Sequence, residues 1–382
     1  MWGRPLAFDS ATPSDFPPLL DWLGIFCDLG WLPMRSFNVL KSGLCIAGLA
    51  LLASCGQSNN SQSANDSSGV KKPKIAFVSN GVASFWTVAQ RGVEKAGADL
   101  DVDVSVHMPS EGIPDQKRMI EDLITRGVDG LSVSPIDPVN QSDFLDEMGK
   151  LTKLVTNDSD APDSSRMVYI GMDNYKAGRM CGELVKEALP DGGKIMIFIG
   201  RMEQDNSRRR RQGVIDEILG RDYNPANYDP PGNVLSAGGY EILGTLTDQF
   251  DRVKGKANVE DTLSRFPDID GMVGLFAYNP PLILEALEQA GKIGKVKVIS
   301  FDEDPGSLQG IVDGSVHGTI VQNPYMYGYR SVEVLKQIIA GDLSSIPENK
   351  FIEYPARVIK KDNVEEFWAD LKEKLGDGAA AE

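Results

Sequence analysis

Asp158 and Asp302 stand where a carboxylate does the most recognition chemistry. The first ends an apolar run in Val155-Thr156-Asn157-Asp158, the second in Ser300-Phe301-Asp302. An ionised carboxylate only accepts, and it can bridge two neighbouring hydroxyls with charge-assisted bonds. Singly, each is also a favoured helix N-cap. Two at corresponding run ends shift the reading toward a binding site. Asn279 and Gln322 add neutral amides, each able to donate and accept toward one hydroxyl. Asn279 precedes Pro280-Pro281 and Gln322 precedes Asn323-Pro324, a helix start and a turn or chain crossing. Arg208 opens the run Arg208-Arg209-Arg210-Arg211. Consecutive helical positions point around the axis, so one or two at most face any cleft. Arg208, nearest the expected helix start, is placed at the ligand, and two or three of the others are expected in solvent. Its planar donor fork complements carboxylates in a hydroxyl network. Phe85-Trp86 and Phe250 offer flat apolar faces to a ring's C–H groups, although the pair is equally a hydrophobic contact at a helix start and Phe250 in isolation is more often core.

The same inventory argues against other chemistry. A carbohydrate hydrolase needs a carboxylate pair with one member held protonated. Asp158 and Asp302 imitate such a pair, but arginine and amide neighbours favour ionised acceptors. His107 and His317 sit in strand-like contexts with no Ser-His triad and no metal-ligand cluster. No GxGxxG follows a strand and no Walker A motif is present, so neither nucleotide nor other cofactor is expected. A net charge of −16 over 382 residues argues against nucleic acid. The expectation is a binding protein that catalyses nothing.

These residues must be positioned by the alternating elements around them. Short β-rich runs occur at 75–79, 102–106, 130–134, 154–157, 168–170, 195–199, 234–236, 271–276, 296–300, 319–321 and 357–359. Amphipathic stretches such as 85–99, 114–126, 174–189, 208–219 and 282–290 lie between them. Apolar strands interleaved with helices mean parallel sheets covered on both faces. So many strands exceed one small lobe, and two doubly wound lobes are the economical α/β architecture. Open sheets of this kind bind ligands beyond the carboxyl ends of their strands. Asn80, Asp137, Asp158, Asp173, Arg201, Asn279, Asp302 and Gln322 all stand just past such ends.

Upstream of Lys74 the pattern changes. Arg35 and Lys41 flank the start of a segment whose apolar run, 44–52, is too short for a bilayer but suits an export signal. It ends in Leu52-Ala53-Ser54-Cys55, which resembles a bacterial lipobox with Cys55 as the lipidated residue. Residues 1–33 carry Asp9, Asp15 and Asp21 and read as an upstream extension, with translation starting at Met34. Residues 34–54 read as the signal peptide. Residues 55–73, rich in Ser and Asn, read as a flexible tether. Cys181 is expected as a packed small hydrophobe.

In combination these segments resemble the ribose-binding-protein family of periplasmic sugar receptors, type I periplasmic binding proteins of ATP-driven importers. The resemblance rests on Ile75-Ala76-Phe77-Val78, Phe85-Trp86 and Thr125-Arg126-Gly127-Val128-Asp129-Gly130. It continues through Arg208 with Gly213, Phe250-Asp251-Arg252-Val253-Lys254-Gly255, Phe301-Asp302 and Gly318-Thr319-Ile320-Val321-Gln322. It implies stacking by Phe85, Trp86 and Phe250 on the two faces of a monosaccharide. It implies hydrogen bonds to the sugar from Asp158, Arg208, Asn279, Asp302 and Gln322. It also implies a three-strand hinge crossed near Asn174, near Gln322 and near Phe351–Tyr354. The lobes would then be 74–173 with 323–352, and 174–322 with 353–361, leaving 362–382 as a C-terminal helix and tail. Ligand closes the lobes by hinge motion, as in the periplasmic receptors that exemplify it, and the closed form docks on a permease with its ATPase. A monomeric, lipid-anchored periplasmic receptor follows from the resemblance and the lipobox together.

Two departures bear on which sugar. The ribose receptors carry an arginine after the first aspartate, where this chain has Ser159. They carry an asparagine before the aromatic pair, where it has Ala83 and Ser84. Missing donors change which ligands a site rejects, so another pentose, a hexose or a cyclic polyol stays open. A sensory co-receptor for a membrane kinase or chemoreceptor is the alternative role for the same sugar-bound shape. A transcription regulator is disfavoured, since no helix-turn-helix pattern precedes Lys74.

Overall fold

Strands form where β-branched and aromatic residues run together, and the central ones are buried along their whole length, as Gly130–Val133 and Gly271–Gly274 are. The computed structural model describes residues 71–375. Cys55, the signal segment, the upstream extension, nearly all of the tether and the last residues of the tail lie outside the described residues.

The first lobe begins β1 (Lys74–Val78), α1 (Ser84–Leu100), β2 (Asp103–His107), α2 (Ile113–Thr125), β3 (Gly130–Val133), α3 (Pro138–Leu151), β4 (Lys153–Asn157) and β5 (Tyr169–Gly171). The chain then crosses into the second lobe. There it forms α4 (Asn174–Ala188), β6 (Gly193–Ile199), α5 (Asp205–Ile218), β7 (Leu235–Ala237), β8 (Tyr240–Thr247) and α6 (Arg252–Arg265). It continues through β9 (Gly271–Gly274), α7 (Asn279–Gln289), β10 (Lys297–Phe301), α8 (Pro305–Asp313) and β11 (Gly318–Val321). It returns as α9 (Pro324–Ile339) and β12 (Phe351–Glu353), then crosses a third time into β13 (Arg357–Ile359) and α10 (Val364–Leu375).

The first sheet runs β12-β5-β4-β3-β1-β2 and is parallel throughout. The second runs β13-β11-β10-β9-β6-β8-β7, parallel inside with antiparallel edges at β13 and β7. Both are therefore doubly wound α/β sheets, with core on each face. Glu353 pairs with Gly171 in the first sheet, so the third crossing falls one residue later than the sequence boundary of 352.

Two strands escape the sequence reading, β8 and β12. β8 contains Gly244 at φ +146, and its partner β6 shifts register between Ile195 and Met196. A glycine at an irregularity reads as a break in sequence and is a bulge in the sheet.

Candidate functional site

Asp158 and Asp302 occupy matching places, each the residue after its strand, β4 or β10. Both adopt left-handed backbone, at φ +56 and +67, a conformation that Asp tolerates better than most residues. Each backbone N–H donates to the neighbouring strand, Asp158 to the Ile170 carbonyl at 3.1 Å and Asp302 to the Ile320 carbonyl at 2.8 Å. Each carbonyl is held by a hydroxyl from that strand, Tyr169 or Thr319, at 2.7 Å. The backbone bend aims both carboxylates across the space between the lobes.

That space is a cavity with about 370 Å³ of free space, counting what opens to solvent. Phe85, Trp86, Asp158, Phe250, Asp302 and Gln322 all line it. Trp86 meets Phe85 edge-on with ring centroids 4.9 Å apart and packs against Phe77 behind. From the other lobe, Phe250 stacks on Phe276 at 5.4 Å and lies beneath the Arg201 guanidinium at 4.7 Å. Gln249 and Phe250 are both left-handed, at φ +60 and +66. Two successive non-glycine residues in that region are strained, and such strain clusters at ligand clamps. The Gly200 carbonyl accepts from Gln249 N, and the Asp248 carboxylate from Phe250 N, at 2.8 Å each.

Two sequence placements change. Arg208 lines a separate surface depression with Asp205 and Arg209. The arginine of the cavity is Arg210, only 1% exposed. The reason is helical phase. α5 begins at Asp205, three residues before the expected start, and two further residues turn the side chain by about 200°. Arg210 Nη1 donates to the Leu275 carbonyl at 2.7 Å, and Nε and Nη2 donate to Asn174 Oδ1 at 3.3 and 3.0 Å. Its guanidinium lies 3.9 Å from the centre of the Phe301 ring and 3.8 Å from Asp302 Oδ2. With five N–H groups available, two remain for the cavity. Arg211 is also buried, donating to Thr245 Oγ1 and the Asp229 carbonyl at 2.7 Å each, so only Arg208 and Arg209 reach solvent.

Asn279 is the second change. It is buried and does not line the cavity. Its Oδ1 accepts from Phe276 N and its Nδ2 donates to Asp248 Oδ2, each at 3.0 Å. The amide is spent fixing the turn that presents Phe276, Ala277 and Tyr278.

Asn80, Gln204, Asn206 and Tyr278 also line the cavity. Asn80 stands two residues past the end of β1, a signal present in the sequence. Gln204 and Asn206 flank the start of α5, and the same phase error hid them. Asp158 Oδ2 accepts from Asn80 at 3.3 Å, Ser134 Oγ at 3.2 Å and Asn206 at 3.0 Å. The Asn206 bond runs from the second lobe to the first. Asp302 Oδ1 accepts from Gln322 Nε2 at 2.7 Å, and Tyr327 of α9 donates to Gln322 Oε1 at 3.3 Å.

Burial pushes the Asp158 carboxyl up to about 7, with the nearby Asp302 adding to the rise and Arg210 opposing it. Burial also raises Asp302, again against Arg210. One arginine thus faces two carboxylates in a dry space walled by aromatics. Neither histidine lines the cavity. The arrangement gathers acceptors, donors and aromatic ring faces around one cavity.

Residues 75–343, well over half of the chain, match the family model of the periplasmic binding protein domain. The chain belongs to that family, and its two lobes are those of type I periplasmic binding protein structures. The ribose import binding protein RbsB of Bacillus subtilis (strain 168) is 26% identical over 262 residues, 67% of this chain and 78% of that protein. The crystal structure of an ABC transporter solute binding protein from Burkholderia graminis C4D1M, in complex with D-arabinose, is 27% identical. It covers 76% of this chain and 96% of its own, with a TM-score of 0.68. A solute binding protein from Agrobacterium vitis with bound D-fucose shares the fold at a TM-score of 0.69 and 23% identity, over 78% and 99% of the two chains.

Proposed function

We propose that this protein is the substrate-binding component of a bacterial ATP-driven importer, taking one monosaccharide or cyclic polyol between its lobes and delivering it to a membrane permease. The observation that carries the reading is the convergence on one cavity of Phe85, Trp86 and Asn80 from one lobe with Phe250, Arg210 and Asp302 from the other. Relatives whose names state ribose, D-arabinose and D-fucose support a sugar ligand. The sugar ring stacks between Phe85-Trp86 and Phe250, while Asp158 and Asp302 accept from its hydroxyls. Arg210, Asn206, Asn80 and Gln322 supply the donors. Nothing in this set does covalent chemistry, and the protein acts by binding alone. Export and lipid attachment at Cys55, placing a monomer in the periplasm at the membrane, complete the proposal on the strength of the lipobox.

Purified protein lacking residues 1–70 should melt at a higher temperature with its sugar, since a ligand that binds only the folded form stabilises it by linkage. A screen of pentoses, hexoses and cyclic polyols identifies it. Asp302→Asn and Arg210→Lys should each remove the shift, whereas Arg208→Ala should keep it. A shift surviving both cavity substitutions, or lost in Arg208→Ala alone, would sink the assignment. Hydrolysis of a nitrophenyl glycoside would revive an enzymatic reading.

A further inference from the structure

The cavity is not closed equally on all sides. Of the residues lining it, Ala83 and Phe250 alone are more than marginally exposed. Ala83, Phe85 and Ala277 also line a second, larger groove, with about 1610 Å³ of free space counting what opens to solvent. The lining shared by the two spaces therefore consists of one phenylalanine and two alanines, so that little side-chain bulk stands between them.

The far walls of the groove come from both lobes and from α10. Trp368 of α10 is partly buried there, with Lys372 Nζ 4.2 Å from the centre of its ring. Arg252 lies 5.8 Å from the centre of the Tyr278 ring, which itself lines the cavity. Asp304 caps α8 through Gly306 N at 2.9 Å. Glu303 is 6% exposed and lines the groove, and neither of its carboxyl oxygens bonds to a described residue. Buried carboxyls are ordinarily partnered. The remaining cation, Arg91, is already paired with Glu94 at 3.0 Å. Two available donors, Arg252 and Lys372, thus face two acceptors, Asp304 and Glu303, beside an indole. Donors and acceptors together, with burial holding the Glu303 carboxyl well above its ordinary range, suit a neutral polyhydroxylated ring better than an anion or a cation.

We propose that this groove is an accessory subsite for a second sugar ring, so that the receptor accepts a glycoside whose first ring fills the cavity and whose linkage passes between Ala83 and Ala277. The inference rests on the sugar-receptor reading and extends it to the class of ligand. Apolar contact with Trp368 and Phe85 holds the second ring, and Arg252, Lys372, Asp304 and Glu303 take its hydroxyls.

Titration calorimetry on the 71–382 protein tests it, using D-ribose, D-arabinose, D-fucose and D-galactose, the methyl glycoside of each, and disaccharides ending in each. For a sugar that binds free, its disaccharide should bind within about tenfold of the free sugar or tighter. Trp368→Ala should weaken the disaccharide by tenfold or more and leave the free sugar within twofold. Ala83→Leu, on the lining shared by cavity and groove, should weaken the disaccharide and the methyl glycoside by more than it weakens the free sugar. Circular dichroism confirms that both variants fold. Binding of the free sugar with no binding of its disaccharide would overturn the subsite alone, as would equal losses for both ligands in Trp368→Ala. Failure of every sugar and glycoside would overturn the receptor reading itself.

Discussion

Asp158 and Asp302 lie in equivalent backbone positions but differ in surroundings, and the difference predicts a pH response. Asp158 receives three hydrogen bonds from neutral groups and lies at the lobe interface. With the lobes placed as in this structure, burial raises its carboxyl to about 7, and Asp302 and Glu303 shift in the same direction for the same reason. A group whose pKa is raised by closure favours the closed form below its ordinary range near 3.8, and that contribution is lost as pH rises through about 7. The sugar-free protein should therefore open as pH rises from about 4 to about 7, read as a rise in radius of gyration by small-angle scattering. Asp158→Asn, neutral throughout, should reduce that response. A wild-type radius independent of pH would refute the argument. The legibility of the site divides along the same line. Residues just past strands were readable, because strand ends are fixed in one dimension. Arg210, Gln204 and Asn206 were not, because a helix start misplaced by three residues rotates every side chain on it. Asn279 was misplaced because its partner Asp248 is distant in sequence, and only the fold reveals that its amide is already used.

At the scale of elements, the cavity depends on how closely α5 approaches α4. A Cβ on Gly178 would stand 2.0 Å from the Arg210 carbonyl oxygen, and one on Gly213 would stand 2.1 Å from the Tyr175 carbonyl oxygen. The first lobe uses the same device between α1 and α9, where Gly92 would meet the Tyr325 carbonyl at 1.9 Å and Gly328 the Ala89 carbonyl at 2.1 Å. These helices touch backbone to backbone, which only glycine permits. Gly178→Ala should thus push away the turn that carries Arg210 and detach its guanidinium from Asn174. The expected outcome is a stability loss of about 1–3 kcal/mol, the usual range for overpacking, together with weaker sugar binding. Denaturant unfolding and calorimetry measure the two, and an unchanged affinity would show that Arg210 is positioned by something other than this crossing. The alternation of apolar runs and amphipathic stretches made the doubly wound class readable. The helix-crossing glycines carry no such periodic signal, and neither does β8, whose glycine marks a bulge that the pattern alone presents as a loop.

For the molecule as a whole, function depends on coupling two lobes with separate sheets and separate cores. Three chain crossings join them, Tyr327 of α9 donates to Gln322 at one of these crossings, and across the cavity Asn206 Nδ2 of α5 donates to Asp158 Oδ2 at 3.0 Å. A hydrogen bond contributes about 0.5–1.5 kcal/mol net, and more where its acceptor is ionised, and about 1.4 kcal/mol is a tenfold change in affinity. Because the bond forms only when the lobes meet, it favours closure without being part of either lobe's own fold. A sugar that satisfies groups from both sides shifts the population further in the same direction. Asn206→Ala should therefore lower sugar affinity by about twofold to tenfold, chiefly through faster release. Scattering at saturating sugar should still report the closed radius, because the ligand replaces the missing tie, while the sugar-free variant should be more open than the wild type. Denaturant unfolding of the sugar-free variant should be close to wild type, since neither core loses a contact. A variant that binds as tightly as the wild type would place the closing force elsewhere, in the aromatic clamp of Phe85, Trp86 and Phe250. One that unfolds much more easily would make Asn206 part of the fold of α5 rather than of closure.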